Sequence, residues 1–337
     1  MRFCVDLIGL CCLLWLAACA PSRPLVSQES FVFGTRVEIL IADAPEDAAR
    51  AAAAAVLRDF DELHRNYHAW QPSALTAVND AIAAGQTLEV SAELAALIAD
   101  AQRLSAASNH RFDPGIGRLI ALWGFQSDEF TPRLPDAAAL VKWRAHPASI
   151  AQLRLEGRML SATNRSVALD FGGYLKGVAL DRAAARLKAL GIRNALINIG
   201  GNVMAMGDKH GKPWKVGIQH PRRPGALAVL DLRDGEALGT SGDYQRYFEL
   251  DGQRYSHLLD PAKGQPPRHT QAVTLLISPA PDAGTRSDAL SKPIFLAGAK
   301  HWRAVAHDLD ADNVLRIDAS GLIEMTDTLR ARLTFLD

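Results

Sequence analysis

Asp170, Gly172, Gly173 and Lys176 lie within a stretch of seven residues. A glycine turn that opens a helix lets backbone N–H groups converge on an anion, and a lysine in the first turn adds a mobile positive charge. The spacing matches neither G-x-x-x-x-G-K-[ST] nor G-x-G-x-x-G. A tight strand–helix–strand corner with a surface lysine accounts for the same residues. Four further stretches carry chemically useful types. FDPGIG (112–117) sets Asp113 beside a proline and two glycines, and GTSGDY (239–244) offers Thr240, Ser241 and Asp243 just before an expected strand. YSHLLDP (255–261) places His257 on a strand, and SDALSKP (287–293) brings Asp288, Ser291 and Lys292 near a helix start. Each alone has an ordinary structural explanation, such as a helix cap for Ser-Asp.

The elements that must position these groups follow from periodicity. Val167 and Leu169 alternate with polar neighbours as in a short strand. After the glycines, Leu180, Ala183, Ala184 and Leu187 recur at helical spacing, with Gly191 placed to end the helix. Ala195–Ile199 then runs as a strand into Gly200-Gly201. Upstream, 31–41 reads as one strand broken by Gly34, 44–65 as an alanine-rich helix, 66–79 as irregular, and the stretch from Ser91 to near Asn109 as a capped helix. A helix over 136–145 and a hairpin at Glu156-Gly157 follow. Downstream, strands dominate, with a hairpin at Asp251-Gly252, a helix over 282–299 and a last hairpin at 319–321. No repeat or linker interrupts 31–337, which predicts one compact, two-lobed α+β body of mixed sheets and packed helices.

The chain has 337 residues, 48% hydrophobic, with formal net charge zero. That supports a sizeable core and gives no basic surface for a polyanion, so no nucleic-acid partner is expected. All four cysteines fall at positions 4, 11, 12 and 19. Residues 1–18 combine a basic second residue with a short apolar run and small residues, as in a secretory signal too short to span a membrane. Leu16-Ala17-Ala18-Cys19 resembles the bacterial lipobox, in which the cysteine is lipidated and becomes the N-terminus. The organisation expected is a leader (1–18), a tether (19–30) and a folded domain (31–337), lipid-anchored at Cys19 on the periplasmic side of a bacterial envelope. An ordinary signal peptide is the alternative.

Taken together, the motifs resemble the ApbE-type FAD:protein FMN transferases. The run is FDPxxGxLxxLWGF, DxGGxxKGxxxDxxxxxL, a strand ending in Asn-x-Gly-Gly, TSGDY, YSHxxDPxxGxP and a DALS helix, and it spans about residues 31–300. The resemblance implies transfer of FMN from FAD to a threonine of a target protein with release of AMP, with magnesium near the pyrophosphate. It implies flavin contacts at Phe33 and Trp70, and FAD contacts at Asp113, Asp170 and Lys176. Ser241 and His257 fall at the reacting end, and His257 and Asp288 in catalytic roles. A metal would be held by the Gly173 carbonyl, Asp288 and Ser291.

Two positions depart from the family pattern. Asn202 stands where an aspartate commonly follows the second Gly-Gly. Lys292 stands where DALST supplies a threonine hydroxyl to magnesium, and a charged ammonium cannot be a metal ligand. Lys292 therefore favours an alternative of another class, an FAD-binding lipoprotein of the same fold with weak or no transfer. Lys176, TSGDY and YSH favour the enzyme.

Overall fold

The computed structural model describes residues 25–336 except 128 and 130. The expected leader and Cys19 lie outside the described residues, as does most of the expected tether; the first strand already begins at Val26. A hairpin of β1 (Val26–Val32) and β2 (Thr35–Ala42) leads into α1 (Glu46–Asn66), α2 (Ala74–Ala84), β3 (Leu88–Glu89), α3 (Ala92–Ala107), α4 (Gly117–Leu122) and α5 (Ala137–Ala145). The hairpin β4 (Leu153–Glu156) and β5 (Met159–Ala162) precedes α6 (Leu175–Ala189). Then come β6 (Asn194–Ile199), β7 (Asn202–Met206), β8 (Trp214–Gln219), β9 (Ala226–Leu232), β10 (Ala237–Gly242), β11 (Tyr247–Leu250), β12 (Gln253–Ser256) and β13 (Thr270–Ile277). The chain closes through α7 (Ala283–Ala297), α8 (Trp302–Asp308), β14 (Asn313–Asp318), β15 (Ile323–Met325), α9 (Asp327–Arg330) and β16 (Leu333–Phe335).

Eight strands form one antiparallel sheet in the order β1-β2-β6-β7-β10-β13-β14-β15. All eight residues of β13 are buried, because both faces of the sheet are covered. Val273, Leu275 and Ile277 point into a core shared with Phe60 of α1, Leu180 of α6 and Phe295 of α7. The alternate residues Ala272 and Leu276 point the other way, into a second core with Trp214, Leu230 and Leu232. The period-2 alternation of one strand thus serves two cores, and the expected two-lobed α+β body is one sheet with apolar packing on each side.

Several local expectations change. Residues 31–41 are not one strand: Phe33 and Gly34, at φ 56° and 68°, form the turn between β1 and β2. Residues 66–79 are not wholly irregular, since α2 starts at Ala74 under a capping box in which Ser73 and Thr76 bond each other's backbone N–H. Val167–Leu169 is not a sheet strand. Ala168 makes only an isolated bridge to Ile116, with Asp170 N–H donating to the Pro114 carbonyl. The first apolar segment is thus laid along the FDPGIG loop, and β6 continues into β7 as an antiparallel hairpin rather than closing a strand–helix–strand crossover. TSG ends β10, well inside the sheet, and His257 lies just past β12.

The two site-bearing helices meet at glycines. A Cβ on Gly177 of α6 would lie 2.5 Å from the Gly284 carbonyl oxygen, and one on Gly284 of α7 would lie 2.7 Å from that of Gly177. Glycine-to-alanine normally favours a helix by about 1 kcal/mol. Here overpacking costs about 1–3 kcal/mol or more, so Gly177→Ala and Gly284→Ala should each lower the urea midpoint. An unchanged or raised midpoint for both would mean that the helices do not need this approach.

Candidate active site

Each of these helices uses a carboxylate to hold amides of the other. Asp181 of α6 accepts from the N–H groups of Gly284 (2.7 Å) and Thr285 (2.8 Å) and from the Thr285 hydroxyl (2.6 Å), capping α7 from outside. Burial outweighs these bonds and pushes the Asp181 carboxyl up to about 6. Asp288 of α7 accepts from Gly177 N–H through Oδ2 at 3.0 Å, in the first turn of α6, which has no side-chain cap of its own. Neither contact is visible from local sequence, because the partners are about a hundred residues apart.

Asp288 also holds Lys292, as four-residue helical spacing allows. The ammonium lies 2.7 Å from Asp288 Oδ1 and 2.7 Å from the Asp288 carbonyl oxygen. With Asp288 2% and Lys292 15% exposed, this is a largely desolvated pair and not a surface one. Burial works against the carboxylate's charge, but Lys292 and Lys176 hold it below the usual carboxylate range. The lysine stem runs over Gly173, where a Cβ would fall 2.7 Å from Lys292 Cε. Lys176, partly exposed, is pushed down chiefly by burial; Asp288 opposes this, while Lys292 and Arg246 add to it. Ser291 Oγ lies 2.7 Å from Ser241 Oγ and donates to the Asp288 carbonyl at 2.7 Å. Gly239 lets β10 press against α7, since a Cβ there would meet the Ser287 carbonyl at 2.2 Å.

His257 faces the same cations. Its Nδ1 is 3.1 Å from the Arg246 carbonyl oxygen, which can only accept, so Nδ1 carries the proton and Nε2 keeps its lone pair. Burial, then the charges of Arg246, Lys176 and Lys292, lower its pKa to about 3. The Arg246 guanidinium donates to the carbonyls of Phe125 and Ser127 and lies 5.7 Å from the Trp70 ring centroid. From there an aromatic ladder runs Trp70–His68–His64–Phe33, with centroid separations of 4.5, 4.9 and 5.4 Å. Phe33 and Trp70, expected from sequence to meet flavin, therefore share one wall.

The two remaining acids hold turns. Asp113 Oδ1 accepts from the N–H groups of Gly115 and Ile150, both at 2.8 Å. Burial raises its pKa against those bonds. Asp170 accepts from Gly172 N–H at 2.9 Å and from Gln126 Nε2 at 3.2 Å. The structure thus groups Gly173, Lys176, His257, Asp288, Ser241, Ser291 and Lys292, joins Phe33 and Trp70 to them through Arg246, and puts Asp113 and Asp170 in the supporting loops. Arg246, His64, His68, Gln126 and Asp181 are site residues that sequence reasoning does not single out. Only Asp181 carries a signal, as the last aspartate of DxGGxxKGxxxD.

Residues 33–315 match the ApbE family model, well over half of the chain. That range holds all the residues just named. A protein named FAD:protein FMN transferase from Rhodobacter capsulatus is 39% identical over 310 residues, covering 92% of this chain and 58% of the relative. The chain therefore spans less than two thirds of that protein's length. A Haemophilus influenzae protein of the same name is 27% identical, over 97% of each chain. The crystal structure of the ApbE protein from Thermotoga maritima superposes with a TM-score of 0.84 at 30% identity, covering 92% of this chain and 99% of that one. With the family model and the fold in agreement over nearly the whole domain, the chain belongs to the ApbE family.

Proposed function

We propose that this protein is an FAD:protein FMN transferase, moving FMN from FAD onto a threonine hydroxyl of a target protein and releasing AMP. The observation that carries this reading is the meeting of Lys176 and Lys292 at one glycine turn, with Arg246 reaching from Trp70 toward His257. Displacement at phosphorus asks mainly for charge neutralisation and orientation. The two lysines supply the first, toward the two negative charges of a pyrophosphate. Trp70 and Phe33, at the two ends of this edge-to-face run of rings, offer apolar surface to a flavin ring.

In the step itself, the threonine oxygen bonds to the FMN phosphorus as the bond from that phosphorus to the bridging oxygen breaks. AMP leaves with the electron pair, and the hydroxyl proton passes to His257 Nε2. A pKa near 3 makes a weak base. Burial is the larger cause and the cations add to it; a bound pyrophosphate would screen the cations and so raise the basicity of His257. Asp288 has both oxygens engaged with Lys292 and Gly177 and serves to position the lysine.

Magnesium fits these donors poorly. Asp288 Oδ1 already meets an ammonium, and Ser291 is bonded to Ser241 and the Asp288 carbonyl. The transfer step is therefore derived from the chain's own cations. The alternative, a flavin-binding protein that does not transfer, is favoured only by Lys292.

Incubating the protein with FAD and an acceptor domain should give an acceptor with covalent flavin fluorescence and one AMP per flavin. Tight FAD binding with no covalent product on any acceptor would favour the binding protein instead. His257→Ala should lower the transfer rate by about 10²–10⁴-fold while keeping FAD affinity; equal rates would remove the histidine from the reaction. Lys176→Ala should weaken FAD binding by about 1.5–3 kcal/mol, the worth of a charge-assisted bond, read by flavin fluorescence titration.

The anchor belongs to the same reading: a lipidated Cys19 would hold the enzyme on the periplasmic side of the envelope, facing exported acceptors. One acyl chain anchors only marginally, so at least two are needed. Cys19→Ala should move the protein out of the membrane fraction or leave it unprocessed. A variant that is processed and membrane-bound like wild type would rule lipidation out.

A further inference from the structure

We infer that Lys292 is a built-in cation that takes the place of a divalent metal, so that this protein binds the FAD pyrophosphate, and transfers FMN, without one. The inference rests on the transferase reading above and concerns how its site is charged.

Two observations carry it. First, the ammonium is fixed. Two of its three donors are spent on Asp288 Oδ1 and the Asp288 carbonyl, both at 2.7 Å, which leaves one for an anion. Second, the stem has a seat: Lys292 Cε would lie 2.7 Å from a Cβ at Gly173, so only a glycine there admits the lysine.

A divalent cation would have to share the Asp288 carboxylate with an ammonium already bonded to it. The lysine does differ from a metal in one respect. It is a point charge with no octahedral preference, so orientation of the phosphates falls to Lys176 and the one ammonium donor left on Lys292.

The test uses the full-length protein freed of metals, with FAD affinity followed by flavin fluorescence and transfer by covalent flavin on an acceptor, each in EDTA and in excess magnesium. The wild type should bind FAD equally in both, and its transfer rate should change little. Lys292→Thr should lose about tenfold or more in FAD affinity in EDTA and regain it with magnesium. Lys292→Met, similar in length but uncharged, should lose affinity and regain little, because it restores no oxygen ligand. Thermal melts of both variants separate a lost cation from a lost fold. Wild-type FAD binding that requires magnesium overturns this inference and leaves the transferase reading intact. Wild type that binds no FAD in either buffer overturns the transferase reading, and this inference with it. Equal binding by wild type and Lys292→Met in EDTA overturns the role of the lysine alone.

Discussion

The contact between α6 and α7 is the constraint on which the site depends. Two helices can place their first turns side by side only if nothing projects between them, and Gly177 and Gly284 meet that condition for each other. Once the backbones are that close, each helix needs partners for its initial amides. Asp181 serves α7, and Asp288 serves α6. The arrangement is reciprocal and largely buried. Asp181 cannot leave without stranding two amides of α7, and the Gly177 amide, shared between Asp288 and the Tyr174 carbonyl, holds the acid that also holds Lys292.

That loss of freedom is what makes a buried ion pair useful here. Desolvating Asp288 and Lys292 is costly, and such pairs seldom stabilise a fold as well as apolar packing does. Their retention makes sense as positioning. The amide of Gly177 fixes one carboxylate oxygen, the other then fixes the ammonium, and the bare Gly173 fixes the stem. The lysine ends with its charge directed by three independent contacts, whereas a lysine on a solvated helix would sweep through many rotamers.

Much of this is legible in the chain because the signals are local. Helical spacing alone puts Asp288 and Lys292 on one face. Asp251-Gly252 marks its hairpin, and Ser91 its helix cap, as observed. What escapes a sequence reading is set by partners distant along the chain. Val167–Leu169 alternates like a strand, yet its backbone partners are the FDPGIG loop, so it forms no sheet. The turn at Phe33-Gly34 requires a bulky residue at positive φ, which local preference argues against. Arg246 carries no motif of its own; it matters because its guanidinium reaches Trp70 and its carbonyl fixes His257. His64 and His68 read as ordinary helix-end residues until their rings are seen to bridge Phe33 to Trp70.

The same electrostatics bears on why the site is reactive. Like charges gathered around one acid raise the free energy of the protein without ligand, and the strain is visible in two groups. Lys176 and His257 are both pushed toward their neutral forms, first by burial and then by the neighbouring cations. A bound pyrophosphate reverses the second cause without touching the first. In the proposed reaction it would stabilise the charged form of Lys176, strengthening its own binding, and raise the basicity of His257. Binding and activation would then draw on one source, the positive charge of the two lysines on α6 and α7 together with Arg246. A site with balanced charge before substrate arrives would have less to gain from the anion, and its histidine would feel no change.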